Sequence, residues 1–362
     1  MKILHLPTAT GGHPSGLSQA ERSLGYNSEV LIVGKNPFNY QADLVIDSTL
    51  FTNQKYINRF FLEIKKIICF FSIRKKYDVF HFNFGHSLLS YPIAQLHLLD
   101  LPYYSKKAKI VVTYNGCDAR QKYATLKRTN YSACSNSKCY NGVCNNIKVE
   151  ESRANKIKIF DQYADSIFSV NPDLFYFLPE RTKFIPYVIS RWYEIEAQPY
   201  SLKTNKKIKV VHAPTNRECK GSEHIISAFK ILNKKYSAVV EFVLVENLKH
   251  HEALAAFQQA DLVIDQLLIG YYGCFTVEVM KMGKPVMVYI SETDLKFLPL
   301  QMQRDCLDSV ININAYNIIN KLASILENPQ ILIEYAQKSR AYVEKWHNPK
   351  TIAEQIITEY SR

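Results

Sequence analysis

Two cations three residues apart stand in the segment His212-Ala213-Pro214-Thr215-Asn216-Arg217-Glu218-Cys219-Lys220-Gly221-Ser222. An apolar run that reads as a strand precedes it, and a helical pattern follows. A loop feeding a helix start offers backbone amides and the positive end of the helix dipole to an anion. Arg217 adds a planar fork for two phosphate oxygens, and Lys220 a mobile point charge. Asn216 stands beside them. The same residues also read as a solvated basic loop, and alone they do not choose between the two.

A second segment runs from Asp261 to Val286. Its strand ends at Asp265-Gln266, and a loop carrying Gly270 and Gly273 then feeds a short helix. Free amides around Cys274, Phe275, Thr276 and Val277 suit a diphosphate. Glu278, about one turn into that helix, suits the hydroxyl pair of a ribose. First-turn acids also favour the positive helix end without any ligand. That second reading leaves the paired glycines, the Gly283-Lys284-Pro285 exit and the matching basic loop unexplained.

These loops need strands and helices to hold them, and the chain supplies two sets. Met1–Leu6 and Glu29–Val33 read as buried strands around a helix over Ser15–Leu24, with Ser15 as its N-cap. Tyr77–Phe82 and Ala108–Tyr114 read as further strands. In the second set, Lys206–Ala213, Ala238–Val245, Asp261–Asp265 and Lys284–Ile290 are the expected strands. Ser222–Leu232, His251–Gln259 and Cys274–Met282 are the expected helices. Such alternation predicts α/β architecture with parallel sheets covered on both faces.

The expected division is an acceptor-binding domain over 1–186, a connection over 187–205, a donor-binding domain over 206–345, and a C-terminal helix over 346–362 returning to the first domain. A chain of 362 residues is comfortable for two such domains.

With these elements in place, the two loops resemble those of the retaining glycosyltransferases of family 4, which have the GT-B architecture of two facing Rossmann-like domains with a cleft between them. The likeness also takes in Gly11-Gly12, Asp78-Val79-Phe80-His81, Thr113-Tyr114-Asn115-Gly116-Cys117-Asp118 and Ala164-Asp165-Ser166-Ile167. The resemblance implies that Arg217 and Lys220 bind the donor diphosphate and that Glu278 binds the nucleoside ribose. Asn216, Gly12, Asp265, Gln266, Gly273, Cys274, Phe275 and Thr276 are expected around the donor, and Gly11 beside the acceptor. The implied reaction moves a sugar, with retention, from a UDP- or GDP-linked donor that enters as substrate; no cofactor is required.

Two departures touch sugar recognition. The family usually carries a glutamate eight positions before the ribose glutamate, and here that position is Gly270. It commonly has a His where this chain has Asn115, which forms hydrogen bonds but does no acid–base work near neutral pH. Asp118, three residues on, is the better candidate for a sugar or acceptor contact.

The formal charge of +12 is uneven. Residues 1–185 hold 24 Lys and Arg against 14 Asp and Glu, and the remainder is nearly balanced. A basic field attracts nucleic acid, anionic lipid or phosphorylated substrates. No recognition helix or stacking module accompanies it, which sets nucleic acid aside. Residues 53–77 interleave seven cations with large apolar groups against one acid, Glu63, suiting either a helix in the headgroup layer or a core helix with a basic edge. The expected location is cytoplasmic, peripheral to the inner face of the cell membrane, with a glycan or lipid-linked glycan as acceptor. His86 and Ser87 follow a strand and are further acceptor candidates.

Cys134, Cys139 and Cys144 form the remaining cluster. Their spacing lacks the close pair of a zinc knuckle. Reduced thiols in a structured insertion, serving as an acceptor flap, are expected ahead of a metal site. Two other functions share the architecture: a non-catalytic GT-B scaffold, prompted by Gly270 and Asn115, and a sugar-nucleotide epimerase.

Overall fold

The structure, a computed structural model, describes residues 1–361 apart from 35, 37–38, 48–54, 92–95, 105, 203–205 and 247–249. Positions 53 and 54 of the basic segment, and 203–205 of the expected connection, therefore lie outside the described residues.

Along the chain, β1 (Lys2–Leu6) runs into α1 (His13–Ser23), β2 (Asn27–Val33) and β3 (Leu44–Ile46). Next come α2 (Lys55–Ile73), β4 (Val79–Asn83), α3 (Leu101–Tyr104) and β5 (Lys109–Tyr114). Short 3-10 turns separate α4 (Lys122–Arg128) from α5 (Ile147–Tyr163), and β6 (Ser166–Ser169) and β7 (Lys183–Phe184) follow. The second run has β8 (Ile208–His212), α6 (Arg217–Lys220), α7 (Ser222–Tyr236), β9 (Val240–Leu244), α8 (His250–Gln258) and β10 (Leu262–Ile264). It continues with α9 (Cys274–Lys281), β11 (Val286–Val288), α10 (Leu300–Ser309), β12 (Ile311–Asn312), α11 (Ile318–Glu327), α12 (Ile331–Trp346) and α13 (Pro349–Tyr360).

The chain divides into two compact units. The first comprises Met1–Gln121, Lys148–Ser190 and Pro349–Arg362, and the second Lys122–Ile147 and Arg191–Asn348. The sheet of the first unit has strand order β3-β2-β1-β4-β5-β6-β7, and that of the second β12-β11-β10-β8-β9, with every pair parallel. Each sheet has its own core: Leu4, Phe80, Phe82, Val112 and Phe160 lie in the first, and Val210, Leu232, Ile264 and Met287 in the second. Apolar runs such as Val210-Val211 and Leu262-Val263-Ile264 are buried on both faces, as parallel strands require.

Strand order fixes where ligands can reach each sheet. In the first unit the order reverses between β1 and β4, and in the second between β8 and β10. At such a switch point the loops after the two strands part in opposite directions and open a crevice at the strand ends.

Two local expectations change. Ser15 is not an N-cap: α1 begins at His13 behind Gly12, which is held at φ 70°. The Ser15 hydroxyl instead donates to the Gln41 carbonyl at 2.7 Å. Gly16 is demanded by packing, since a Cβ there would lie 2.5 Å from the Ile189 carbonyl oxygen. The segment from Lys122 to Ile147, expected within residues 1–186, groups with the second unit. Three contacts account for it. Ala133 N–H donates to Leu268 O at 2.9 Å, Ala315 N–H to the Tyr131 hydroxyl at 2.7 Å, and Arg128 pairs with Asp294 at 2.8 Å. In the first unit, Tyr360 of α13 donates to Glu21 at 3.0 Å and bonds His81 Nδ1 at 2.7 Å.

Among the described residues no helix is long and apolar enough to cross a membrane.

Candidate active site

The second unit assembles the two informative loops at its switch point. The first follows β8 and the second follows β10, so parallel pairing of those strands brings residues some 45 positions apart side by side. His212, the last residue of β8, is fully buried. Its Nδ1–H meets the Ile264 carbonyl at 2.8 Å, and its Nε2 accepts from the Ser222 hydroxyl at 2.8 Å. One neutral imidazole thus ties the end of β8 to the end of β10 and to the start of α7. Burial, ahead of all other causes, pushes its pKa down to about 4.

The basic loop is capped and stopped within five residues. Asn216 is the N-cap of α6, and its side-chain oxygen accepts from Cys219 N–H at 2.8 Å. Gly221 ends that turn at φ 74°, and a Cβ there would meet Leu268 at 3.0 Å. Lys220 lies between these constraints. Its ammonium donates to Asp265 Oδ1 at 2.6 Å and Gln266 Oε1 at 2.8 Å, while its carbonyl accepts from Leu267 N–H at 2.9 Å. Asp265 is 1% exposed, and its other oxygen accepts from the Thr276 hydroxyl at 2.7 Å. A chain of polar contacts therefore runs from Lys220 through Asp265 into the first turn of α9.

The N-terminus of α9 is the positive end of a short helix. Thr276 and Val277 N–H turn back to Gly273 O, so Cys274 and Phe275 carry the amides that helix geometry leaves without an intrahelical acceptor. A Cβ at Gly273 would meet no atom within 4 Å. The protein's own packing thus does not demand glycine there, and space stands open before the helix. Phe275 packs edge-on against Phe257, with ring centroids 4.7 Å apart, and Glu278 is buried on the same short helix.

Arg217 is placed differently from Lys220. It is exposed, and its fork is occupied by Glu246, with Nε to Oε1 at 2.7 Å and Nη2 to Oε2 at 2.6 Å. Hydrogen bonding to Arg217 holds the Glu246 carboxyl below its usual range. Glu246 went unremarked in the sequence, although it follows β9, the strand beside β8.

Gly270 sits at φ 82°, and a Cβ there would lie 3.0 Å from Ser291 Cβ. A side chain at position 270 would therefore need both a left-handed backbone and a shift of Ser291.

In the first unit, the residues expected near sugar or acceptor line the C-terminal ends of neighbouring strands. Gly11 and Gly12 follow β1 at φ 63° and 70°, and a Cβ on Gly12 would meet the Ser190 hydroxyl and the Tyr40 ring at 2.9 Å. Asn115 follows β5. Asp118 does not point outward: it is buried, accepts from Asn115 N–H at 3.0 Å and Gly116 N–H at 2.6 Å, and so shapes that turn. Burial raises its pKa, and those two amides draw it back. Ser87 is likewise engaged internally, donating to Asp100. His86 follows β4, and burial followed by the charges of Lys156 and Arg153 lowers its pKa to about 4, leaving a neutral ring at neutral pH.

Three buried polar atoms on this edge find no hydrogen-bond partner among the described residues: Asn83 Oδ1, Asn115 Oδ1 and Ser190 Oγ. They lie at or beside the ends of β4, β5 and β1, which are neighbours in the sheet. Asn83 and Ser190 were not singled out in the sequence. A lone Asn or Ser at a strand end carries no signal until strand order is known.

Among the described residues no disulfide joins the cysteines, Cys134, Cys139 and Cys144 included. Among the described residues no group of three or more His, Cys, Asp or Glu side chains is placed to hold a metal. The turn between Cys139 and Cys144 packs against α6, beside the basic loop.

No protein-family model matches this chain, and no curated protein sequence does. Solved structures do match, over the whole length. Sucrose-phosphate synthase from Thermosynechococcus elongatus aligns at TM-score 0.60 and 14% identity, covering 100% of this chain and 98% of that one. Anabaena HepE in complex with UDP-glucose aligns at 0.58 and 13%, covering 100% and 99%. UDP-GlcNAc 2-epimerase from Neisseria meningitidis bound to UDP-GlcNAc aligns at 0.54 and 13%, covering 99% of each. At such identities the likeness establishes the fold: two parallel-sheet α/β domains of the GT-B type.

Proposed function

We propose that this chain is a glycosyltransferase that takes a sugar from a nucleotide diphosphate donor and passes it, with retention, to a hydroxyl of a glycan or lipid-linked glycan. One observation carries the reading: Lys220, Asp265 and Thr276 couple the basic loop to the N-terminus of α9 at the switch point of the second sheet. The α9 amides and Lys220 hold the diphosphate, Glu278 takes the ribose diol, and Arg217 exchanges Glu246 for phosphate oxygens. UDP-sugars in two of the matched structures favour uridine as the base.

In the reaction the bond from the anomeric carbon to the donor phosphate oxygen breaks, and a bond from that carbon to the acceptor oxygen forms. The hydroxyl proton passes to the leaving diphosphate, whose growing charge the cations and helix amides stabilise. This route needs no protein base, in keeping with Asn115 and with an Asp118 committed to its own turn. Asn83, Asn115 and Ser190 offer the unfilled polar atoms that a polyhydroxylated ligand satisfies. Exposed aromatic residues and cations on α2 support work at the cytoplasmic face of a membrane.

The test is incubation of the protein with UDP- and GDP-sugars and candidate glycan acceptors, with the product's anomeric configuration read by NMR. Transfer with retention supports the reading, and transfer with inversion overturns its mechanism. The epimerase among the matched folds favours one second reading. It predicts interconversion of the donor sugar without any acceptor, which the same spectra reveal.

A further inference from the structure

Helix α2 is apolar on two faces. One face enters the first core through Phe70 and Ile73, 4% and 3% exposed. The other leaves Tyr56, Phe60, Ile68 and Phe71 between 58% and 86% exposed. A helix at a protein–water boundary carries one apolar stripe and a polar remainder, so a second stripe calls for a second apolar partner. The edge strand β3 alongside adds Leu44 and Val45, the latter 57% exposed.

Between α2 and this edge runs a groove of about 780 Å³, lined by Leu44, Val45, Ile68 and Ile73 together with Lys75, Lys76 and one carboxylate, Glu29, which accepts from the Tyr77 hydroxyl. Its size falls within the about 300–1,000 Å³ of small-ligand sites. Arg74, Lys75 and Lys76 follow the helix in a turn, and none of them has a carboxylate within ion-pair distance among the described residues. Lys2 and Asn27, the first residues of β1 and β2, also line the groove. It therefore opens at the strand starts, the opposite edge of the sheet from Gly12, Asn83 and Asn115, and its occupant is not the acceptor hydroxyl.

We propose that this groove takes an acyl chain of an anionic phospholipid from a membrane surface, with the headgroup phosphate at Lys75 and Lys76. The lining is mixed: its apolar residues on α2 and β3 match the chain, and Lys75 and Lys76 match the headgroup. The exposed Phe60 and Phe71 enter the interfacial layer beside it. The inference rests on the membrane part of the reading above and is independent of the donor site.

The test uses vesicle flotation with phosphatidylcholine, alone or mixed with phosphatidylglycerol, and a Ser72→Trp reporter in the groove lining. Ser72 is exposed, and the two native tryptophans, Trp192 and Trp346, belong to the second unit. Vesicles containing phosphatidylglycerol are expected to carry the protein, with Lys75→Ala/Lys76→Ala weakening the association about tenfold or more. Ile68→Asp/Phe71→Asp is expected to abolish it while thermal unfolding stays unchanged. Lipids brominated along the acyl chain should quench the reporter more strongly than the native tryptophans. Flotation with an unquenched reporter would overturn the groove while leaving membrane association standing. No flotation, or flotation that survives Ile68→Asp/Phe71→Asp, would overturn both.

Discussion

The ammonium of Lys220 lies 2.6 Å from the carboxylate of Asp265, joining the loop after β8 to the loop after β10. The pair is nearly sealed, with side chains 13% and 1% exposed, and Thr276 and Gln266 complete its hydrogen bonding. A pair of this kind sets geometry as much as stability, because both loops must hold their shape for the contact to exist.

Breaking one side of it should be costly. Lys220→Met leaves a buried carboxylate unpaired, and the expected loss is about 3–5 kcal/mol. Asp265→Asn should cost less, and the double variant should recover part of the Lys220→Met loss. Urea unfolding of the four proteins measures the coupling. Simple additivity would show that the two residues do not act as a pair.

Gly273 separates ligand space from protein packing. Gly273→Leu should unfold close to the native protein, since a Cβ there meets no atom within 4 Å. The same change should weaken nucleotide binding by an order of magnitude or more, because the side chain projects in front of the α9 amides. Melting curves with and without UDP distinguish the two effects.

Position 270 should behave in the opposite way. Gly270→Glu forces a side chain onto φ 82° and towards Ser291. A non-glycine residue in that region costs about 1–2 kcal/mol before any clash. The variant should melt lower and gain no activity. A stable, more active Gly270→Glu protein would show that the loop accommodates a side chain at this position.

Acid sensitivity should trace in part to His212. Its folded pKa of about 4 lies below the roughly 6.5 of an unfolded histidine. As pH falls below 6.5 the unfolded state takes up a proton that the folded state refuses. Stability is therefore full above that pH and declines towards pH 4, by up to about 3 kcal/mol for this one group. His212→Gln should be less stable at pH 7 and should show a shallower decline between pH 7 and 4.5, as read by denaturant unfolding at each pH.

Much of this arrangement is legible in the chain because parallel strands announce themselves as apolar runs. Val210-Val211 and Leu262-Val263-Ile264 mark the two strands, and the polar residues after them mark the loops. The helix start at Cys274 is a short-range feature, governed by neighbours a few residues away. What the chain hides is long-range. Glu21 meets Tyr360 across 339 positions, and Arg217 meets Glu246 through strand adjacency. Asp118 and Ser87 looked available because each has a polar side chain in a strand-end loop. Asp118 is consumed by its own turn at Asn115–Gly116, and Ser87 by Asp100, thirteen residues on. Nothing local reports that Lys122–Ile147 packs beside the donor loops, since the decisive partners, Leu268, Asp294 and Ala315, come more than a hundred residues later.

The central claim is that the loop after β8 and the N-terminus of α9 hold a nucleotide diphosphate. Isothermal titration with UDP and GDP, on the native protein and on Glu278→Ala, tests it most directly. The account predicts saturable binding of one diphosphate by the native protein and a loss of at least tenfold in the variant, with both proteins folded alike. Absence of binding to the native protein, or equal affinity in Glu278→Ala, would contradict it.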